Sequence, residues 1–405
     1  MTDALKPRDP KDVEDAVRWA LSEGKALEIV GRGSKRALGR PSQSDMTLDL
    51  SGLTGVTLYE PEELVLSAKA GTPIAEIEAL VDSKGQELAF EPMDYGPLLG
   101  MSPAAGSLGG ALAANLAGPR RIKAGAARDH FLGVSAVSGR GETFKSGGRV
   151  VKNVTGYDLC KVLAGSYGTL AAMTEVTVKV LPKAETEQTL VLTGLDDARA
   201  GQAMSAAMGS SCDVSGAAHL PAHIAFRFPG LGSKDAATIF RLEGFAPSVV
   251  HRKDMLAALL KPFGAVTHLE TEHSWLLWRG VRDAMCFAAD GASGERPLWR
   301  VSTAPARGAE LAGMIPPSAQ MFYDWAGGLI WIAPLPTDDA GATFIRKAVA
   351  ACGGHATLVR APAAVRAAID VFERQAEGVA ALNKRVKESF DPKGVLNPGR
   401  MWAGI

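Results

Sequence analysis

Between residues 9 and 24, Val13, Ala16, Val17, Ala20 and Leu21 recur every three or four positions, the stripe of an amphipathic helix. Asp9 before Pro10 predicts the N-cap and first turn, and Gly24 predicts the stop. A short apolar run over 26–30 then predicts a buried strand, and 64–70 a second one. Thr72 and Pro73 open a helix that turns Ile74, Ile77, Leu80 and Val81 inward, closed over 82–85. Strands follow at 131–138 and 174–181, the latter ended by Pro182.

Beyond Pro182 the pattern changes. Residues 183–188 are polar and predict a connector between domains. A strand is expected at 189–193, an alanine-rich helix from Asp196, and an alternating strand with Ile224, Phe226 and Phe228 on one side. Further strands are expected at 298–302 and 329–333, and helices at 248–261 and 374–390. These elements predict an α+β domain over 1–182, a second α+β domain over 183–389, and a tail over 390–405.

Composition narrows the function classes. With 44 basic and 44 acidic side chains in 405 residues, no general charge draws the chain to nucleic acid or anionic lipid. Cys160, Cys212, Cys286 and Cys352 are widely spaced with no C-x-x-C pair, so this chain alone is not expected to hold zinc or an iron–sulfur cluster. Scattered thiols fit a reducing compartment. No signal-peptide pattern stands at the beginning and no run of 18 apolar residues occurs, so a soluble intracellular protein is expected. Fifteen of the 45 glycines fall between Gly96 and Gly168, about twice the chain-wide density. Glycine allows positive φ and close approach of backbone to a ligand, so a large ligand held by main chain is expected there, with short tight loops as the alternative.

Four segments carry candidate chemistry. Gly31-Arg-Gly-Ser-Lys-Arg36 follows a buried strand; its amides can converge on anionic oxygens beside Arg32, Lys35 and Arg36. It is neither G-x-G-x-x-G nor a P-loop, and a basic surface turn is nearly as good a reading. Ser107-Leu-Gly-Gly110, running to Asn115, reads as a helix start whose free N–H groups suit a pyrophosphate, or as a tight helix contact. The turn clusters 152–158 and 165–170, followed by Met173 and Thr174, suit the edge of an aromatic cofactor. Residues 390–400, FDPKGVLNPGR, read as a helix stop and two turns.

Together the four resemble the FAD-binding proteins of the vanillyl-alcohol oxidase and p-cresol methylhydroxylase (PCMH-type) superfamily. That resemblance implies an α+β, PCMH-type FAD-binding domain of two α+β subdomains, with a smaller α+β cap domain built on an antiparallel sheet. It covers about 1–182 plus the tail. It implies that FAD is bound by Gly31, Arg32, Gly33, Ser34 and Lys35 in a first loop, and by Ser107, Gly109, Gly110 and Asn115 in a second. Thr155, Gly156, Tyr157, Gly165, Ser166, Gly168, Met173 and Thr174 would line the flavin, and Arg400 stands where the family's tail carries lysine. Residues 150–170, 298–305 and 322–333 are similar to the E-subunit family of bacterial glycolate oxidase. This implies two partners, an FAD-binding D subunit and an iron–sulfur F subunit, and a small 2-hydroxy acid substrate. It also implies a cytoplasmic place, with the inner membrane reached only through the complex.

Departures from the superfamily matter. Lys35 and Arg36 stand where covalent members often carry histidine, so non-covalent FAD is expected. His130 at a strand start reads as structural. His219 and His223 are separated by Pro221, which argues against a shared helical metal face, and no bound metal is expected. Glu272 and Asp283 are weak candidates for a base, and Arg279, Arg282 and Arg300 for a carboxylate partner; no catalytic residue is assigned. Two further readings stay open: a stand-alone 2-hydroxy-acid dehydrogenase, and a flavin-stabilised scaffold. Tryptophans concentrated after residue 270 suggest either an aromatic contact surface or ordinary core.

Overall fold

The structure, a computed structural model, describes residues 4–149, 156–231 and 234–404. It divides into two units: Met1–Ala117, Gly125–Pro182 and Arg374–Ile405 form one, and Gly118–Ala124 with Lys183–Glu373 the other. The chain thus changes unit at Pro182, returns at Arg374 rather than at residue 390, and lends residues 118–124 to the second unit.

In the first unit, the helix Pro10–Glu23 forms as its pattern predicts. Asp9 caps it by accepting from the Asp12 N–H at 2.9 Å, and Gly24 ends it in the left-handed region. Val13, Val17 and Ala20 pack on a small parallel sheet of Ala4–Leu5, Met46–Asp49 and Leu27–Val30. A five-stranded antiparallel sheet runs in the order Val56–Glu60, Val65–Lys69, Ala171–Lys179, Phe131–Ser138, Thr143–Gly147. Its core joins Leu66, Phe131, Val176 and Val178 to Ile77 and Val81 of the helix Ile74–Asp82 and to Leu108 and Leu112 of Leu108–Ala113. These are the two α+β subdomains.

The second unit is one antiparallel sheet of eight strands. Their order is Val266–Leu269, Thr186–Thr193, Ala237–Gly244, Gly216–Leu220, Gln320–Asp324, Leu329–Ala333, Leu298–Ser302, His355–Arg360. Leu190, Leu192, Phe240 and Leu242 meet the helices Asp197–Met208 and Ala246–Leu260. The residues between them in sequence face the other way: Glu187, Thr189, Arg241 and Glu243. There Arg241, fully buried, lies over the Trp278 ring at 4.7 Å and 3.3 Å from Glu243.

Two expectations fail, and of two open readings of the tryptophans the structure keeps the ordinary core. The polar stretch 183–188 is not all connector: the strand starts at Thr186, because Glu187 is buried against Arg241 and the Ser274 hydroxyl. Ile224, Phe226 and Phe228 do not share a strand face. Pro221 starts a helical turn, Ala222–Ala225, leaving Phe226 exposed and Phe228 packed on Phe322; the strand is Gly216–Leu220. The aromatic contact surface also dissolves, since Trp278, Trp299, Trp325 and Trp331 are buried and Trp275 alone of those in this unit is substantially exposed.

Candidate flavin cleft

The strand Leu27–Val30 delivers the chain into the loop Gly31–Lys35, which forms one wall of an open cleft in the first unit. Gly33 has φ +79°, a left-handed turn that sends the chain back toward Arg36, whose N–H bonds the Gly33 carbonyl at 3.1 Å. Among the described residues, the N–H groups of Arg32, Gly33, Ser34 and Lys35 have no acceptor in the chain. Four such amides beside a cleft form a concave donor set for an anion.

The second motif makes the opposite wall, by a different means than its sequence suggests. Ser107 caps the helix Leu108–Ala113. However, the Leu108 and Gly109 N–H groups donate to Thr72 and Ala70 carbonyls, both at 2.9 Å, and only that of Gly110, 3.4 Å from Ser107 Oγ, is loosely held. The glycines serve close approach instead. A Cβ on Gly109 would sit 2.7 Å from the Ala70 side chain and 2.8 Å from its carbonyl oxygen. One on Gly31 would meet Ser107 Oγ at 2.6 Å, so the two loops touch.

Lys35 supplies charge where these walls meet. Its Nζ donates to Ser34 Oγ at 3.0 Å and would lie 3.6 Å from a Cβ on either Gly106 or Gly110. Burial pushes its amine down to about 8, with Asp94 opposing that shift and Arg400 adding to it. Arg400 holds the loop from behind, donating to the Lys35 carbonyl at 2.9 Å and lying 3.9 Å from Glu28.

The tail from Phe390 onward does more than end the chain. Asp391 accepts from the Val395 and Leu396 N–H groups, each at 2.8 Å, and from Lys387 Nζ at 2.6 Å. Lys387 also donates to the Thr169 and Leu396 carbonyls at 2.7 and 3.0 Å. Asn397, fully buried, accepts from the Ile29 N–H at 2.8 Å and donates to the Tyr167 carbonyl at 2.8 Å. The tail therefore joins the strand leading into the first loop to the turn that carries Tyr167 and Gly168. A Cβ on Gly168 would lie 2.7 Å from Asn397 Nδ2.

Of the expected site residues, Gly31, Arg32, Gly33, Ser34, Lys35, Ser107, Gly109, Gly110, Gly168, Met173 and Arg400 line the cleft. Others do not reach it. Asn115 has φ +49° and its Oδ1 accepts from the Arg128 N–H at 3.0 Å. Gly165 donates to the Leu112 carbonyl, and the Ser166 carbonyl accepts from Thr169 at 2.7 Å. Thr174 is buried with its hydroxyl on the Ser135 carbonyl at 3.0 Å. Gly156 is exposed and Tyr157 is 90% exposed. Thr155 lies outside the described residues. Tyr167 lines the cleft with φ +53°, although only its neighbours in Gly165-Ser-Tyr-Gly168 were expected there. The signal in the sequence was an aromatic residue beside a glycine, Tyr167-Gly168, inside a turn cluster.

These walls fit the expected flavin nucleotide. An anionic diphosphate is matched by the free amides and Lys35, and a flat ring by a slot among Ala70, Ala113, Ala171, Met173 and Tyr167. In the same unit, Cys160 is buried and its thiol is pushed up to about 12, chiefly by burial. His130 is buried against Phe90, ring centroids 5.5 Å apart.

The family described as "FAD binding domain" matches residues 4–147. The chain is 33% identical over 393 residues to the glycolate oxidase subunit GlcE of Escherichia coli (strain K12), covering 96% of this chain and 97% of that one. It is 26% identical to the glycolate oxidase subunit GlcD of Bacillus subtilis (strain 168), across 100% of this chain and 89% of that one. A crystal structure of p-cresol methylhydroxylase with substrate bound shares the fold at TM-score 0.73 and 13% identity, over 98% of this chain and 88% of that one. From the cleft outward, fold, FAD-binding domain and full-length similarity agree, and the chain belongs to the family of the glycolate oxidase subunit GlcE, FAD-dependent oxidoreductases.

Proposed function

We propose that this chain holds FAD non-covalently in the cleft of its first unit and serves as an FAD-bearing subunit of a complex that oxidises glycolate to glyoxylate. The observation that carries this reading is the cleft itself, with four unpartnered amides and Lys35 at one end and an uncharged slot at the other. In this reading Arg32, Gly33, Ser34, Lys35 and Gly110 bind the diphosphate, while Gly168 and Met173 lie along the ring system; Arg400 and Asn397 position the walls. Asn115, Gly156, Tyr157, Gly165, Ser166 and Thr174 belong to the same proposal as supports or rim, and Thr155, outside the described residues, as the flavin contact that the resemblance implies. When bound, FAD would supply the acceptor for the alcohol carbon's hydride, which carries both electrons, while the hydroxyl proton leaves separately. The chain's residues bind and orient it.

Similarity to GlcE and GlcD, each named as a glycolate oxidase subunit, supports the reading that this chain works with partner subunits. Electrons taken in pairs need an outlet. Cys160 belongs to the first unit and Cys212, Cys286 and Cys352 to the second, which supports an iron–sulfur centre on another chain. No helix among the described residues is long and apolar enough to cross a membrane, which accords with a cytoplasmic place. The test is glycolate-dependent dye reduction by the isolated chain, compared with the coexpressed D, E and F assembly. The complex should turn over and the isolated chain should be nearly inactive. Equal turnover per FAD would favour a stand-alone 2-hydroxy-acid dehydrogenase.

A further inference from the structure

Glu28 is the one charged residue of the strand Leu27–Val30, whose other three side chains are apolar. A carboxylate in so short an apolar strand needs partners, because a charge taken out of water unpaired is costly. Its side chain is 14% exposed and meets two guanidinium groups. Arg36 approaches with two N–H groups, Nε donating to Oε1 at 3.1 Å and Nη2 donating to Oε2. Arg400 Nη1 lies 3.9 Å from the same Oε1. Thr47, the register partner of Glu28 in the neighbouring strand Met46–Asp49, completes the group. Its hydroxyl donates to Glu28 Oε2 at 3.5 Å and accepts from Arg36 Nη2 at 3.4 Å.

These contacts close a ring around the first loop. Glu28 stands just before the loop and Arg36 just after it, so their bidentate pair ties together the two ends of residues 31–35. The Arg36 N–H also bonds the Gly33 carbonyl at 3.1 Å, so one residue holds the turn by backbone and side chain together. From behind, Arg400 Nη2 donates to the Lys35 carbonyl at 2.9 Å, while the Arg400 carbonyl accepts from the Arg40 N–H at 2.8 Å. The strand that carries Glu28 is fixed along both edges. Met46–Asp49 pairs with it on one side, and on the other Leu27 donates to the Val395 carbonyl at 2.7 Å and accepts from the Asn397 N–H at 2.9 Å.

Inside this ring the N–H groups of Arg32, Gly33, Ser34 and Lys35 have no acceptor among the described residues. Amides aimed at one point present the positive ends of their dipoles to each other, so an empty loop of this kind relaxes unless something holds it. A loop held ready binds more tightly, because its ordering is complete before the ligand arrives. Charge alone makes the opposite demand on Glu28, since a carboxylate near the loop repels a diphosphate. Position and charge therefore predict opposite signs for its removal.

We propose that Glu28 is a positioning residue for the diphosphate of FAD: through Arg36 and Arg400 it holds residues 31–35 with their amides convergent. This rests on the reading of the cleft as the flavin site. It deepens that reading by naming the carboxylate on which the loop's geometry depends, and by assigning the Arg36 guanidinium to closing the loop.

The test is equilibrium dialysis of the full chain, freed of flavin, against FAD and separately against ADP, which carries the diphosphate without the flavin ring. Glu28→Ala is expected to weaken both ligands at least tenfold and by the same factor, although the variant is more positive. Glu28→Gln keeps the shape and one acceptor oxygen, so it should weaken both by less. The urea midpoint of the ligand-free variants is expected to stay within about 0.5 M of the parent chain, which separates loop geometry from a general loss of stability. Unchanged or tighter binding in Glu28→Gln overturns the proposal, and this variant decides the matter should Glu28→Ala misfold. Weaker FAD with unchanged ADP overturns it as well, because the effect then belongs to the ring and not to the diphosphate. A parent chain that binds neither ligand fails the flavin reading together with this one, whereas normal parent binding with unaltered variants removes only the role of Glu28.

Discussion

Asn397 bonds Tyr167: its Nδ2 donates to the Tyr167 carbonyl at 2.8 Å while its Oδ1 accepts from Ile29, also at 2.8 Å. One buried amide thus sets the spacing between the strand that feeds the first loop and the turn across the cleft. Replacing it with alanine strands a backbone donor and a backbone acceptor. Each such orphan costs about 1–3 kcal/mol. Asn397→Ala should lower stability in urea by about 2–4 kcal/mol and weaken FAD at least tenfold in equilibrium dialysis. Wild-type affinity in a folded variant would show that the cleft does not depend on this latch.

Gly33→Val and Gly110→Val should each yield soluble apoprotein with little bound flavin. At Gly33 the branch needs a left-handed backbone, φ +79°, and at Gly110 it would meet Ser107 Oγ at 3.1 Å and Lys35 Cε at 3.4 Å. The second unit has its own core and should stay folded. The check is the flavin-to-protein absorbance ratio of the purified variants. A normal ratio in both would mean that these loops are not the nucleotide site.

Lys35 makes cofactor affinity depend on pH in a definite direction. Its amine is held down to about 8 by burial, so the folded protein without ligand carries this charge below pH 8 and loses it above. A bound diphosphate favours the charged form. FAD should therefore bind more tightly below pH 8 and weaken as pH rises from 7 to 9, by up to about tenfold per pH unit above 8. Lys35→Met should bind more weakly at pH 7 and show a flatter profile. Parallel profiles for the two proteins, measured by fluorescence titration, would assign the titration elsewhere.

The buried pair Lys387–Asp391 anchors the tail, with side chains 8% and 0% exposed. Lys387→Met leaves Asp391 charged, buried and without its cation. Breaking such a pair from one side costs roughly 3–5 kcal/mol. Urea unfolding should register that loss, and flavin should come off earlier in the same titration. A loss below about 1 kcal/mol would mean that the backbone donors of Val395 and Leu396 satisfy Asp391 alone.

What could be read ahead from the chain follows a physical line. Local signals held: Asp9, Pro10 and Gly24 bound the first helix, and the strands at 131–138, 298–302 and 329–333 match the structure residue for residue. Signals that depend on a distant partner did not. Glu187 looks like linker until Arg241 is beside it, and Phe226 with Phe228 looks like a strand until Pro221 starts a helical turn. Thr143–Gly147 was missed because its positions alternate between exposed and half-buried, so apolar periodicity is absent. At the cleft, the first loop was legible because glycines and basic residues act locally. The latch formed by Asn397 was not, since it spans 368 residues to Ile29 and 230 to Tyr167.

The central claim is that this chain itself carries FAD, held without a covalent bond. The most direct measurement is the absorbance spectrum of the purified full-length chain, followed by acid precipitation and a second spectrum of the supernatant. The account predicts a flavin spectrum before precipitation and the yellow colour free in the supernatant afterwards, identified as FAD by mass. A colourless protein that takes up no added FAD, or a flavin that stays with the precipitate, would contradict it.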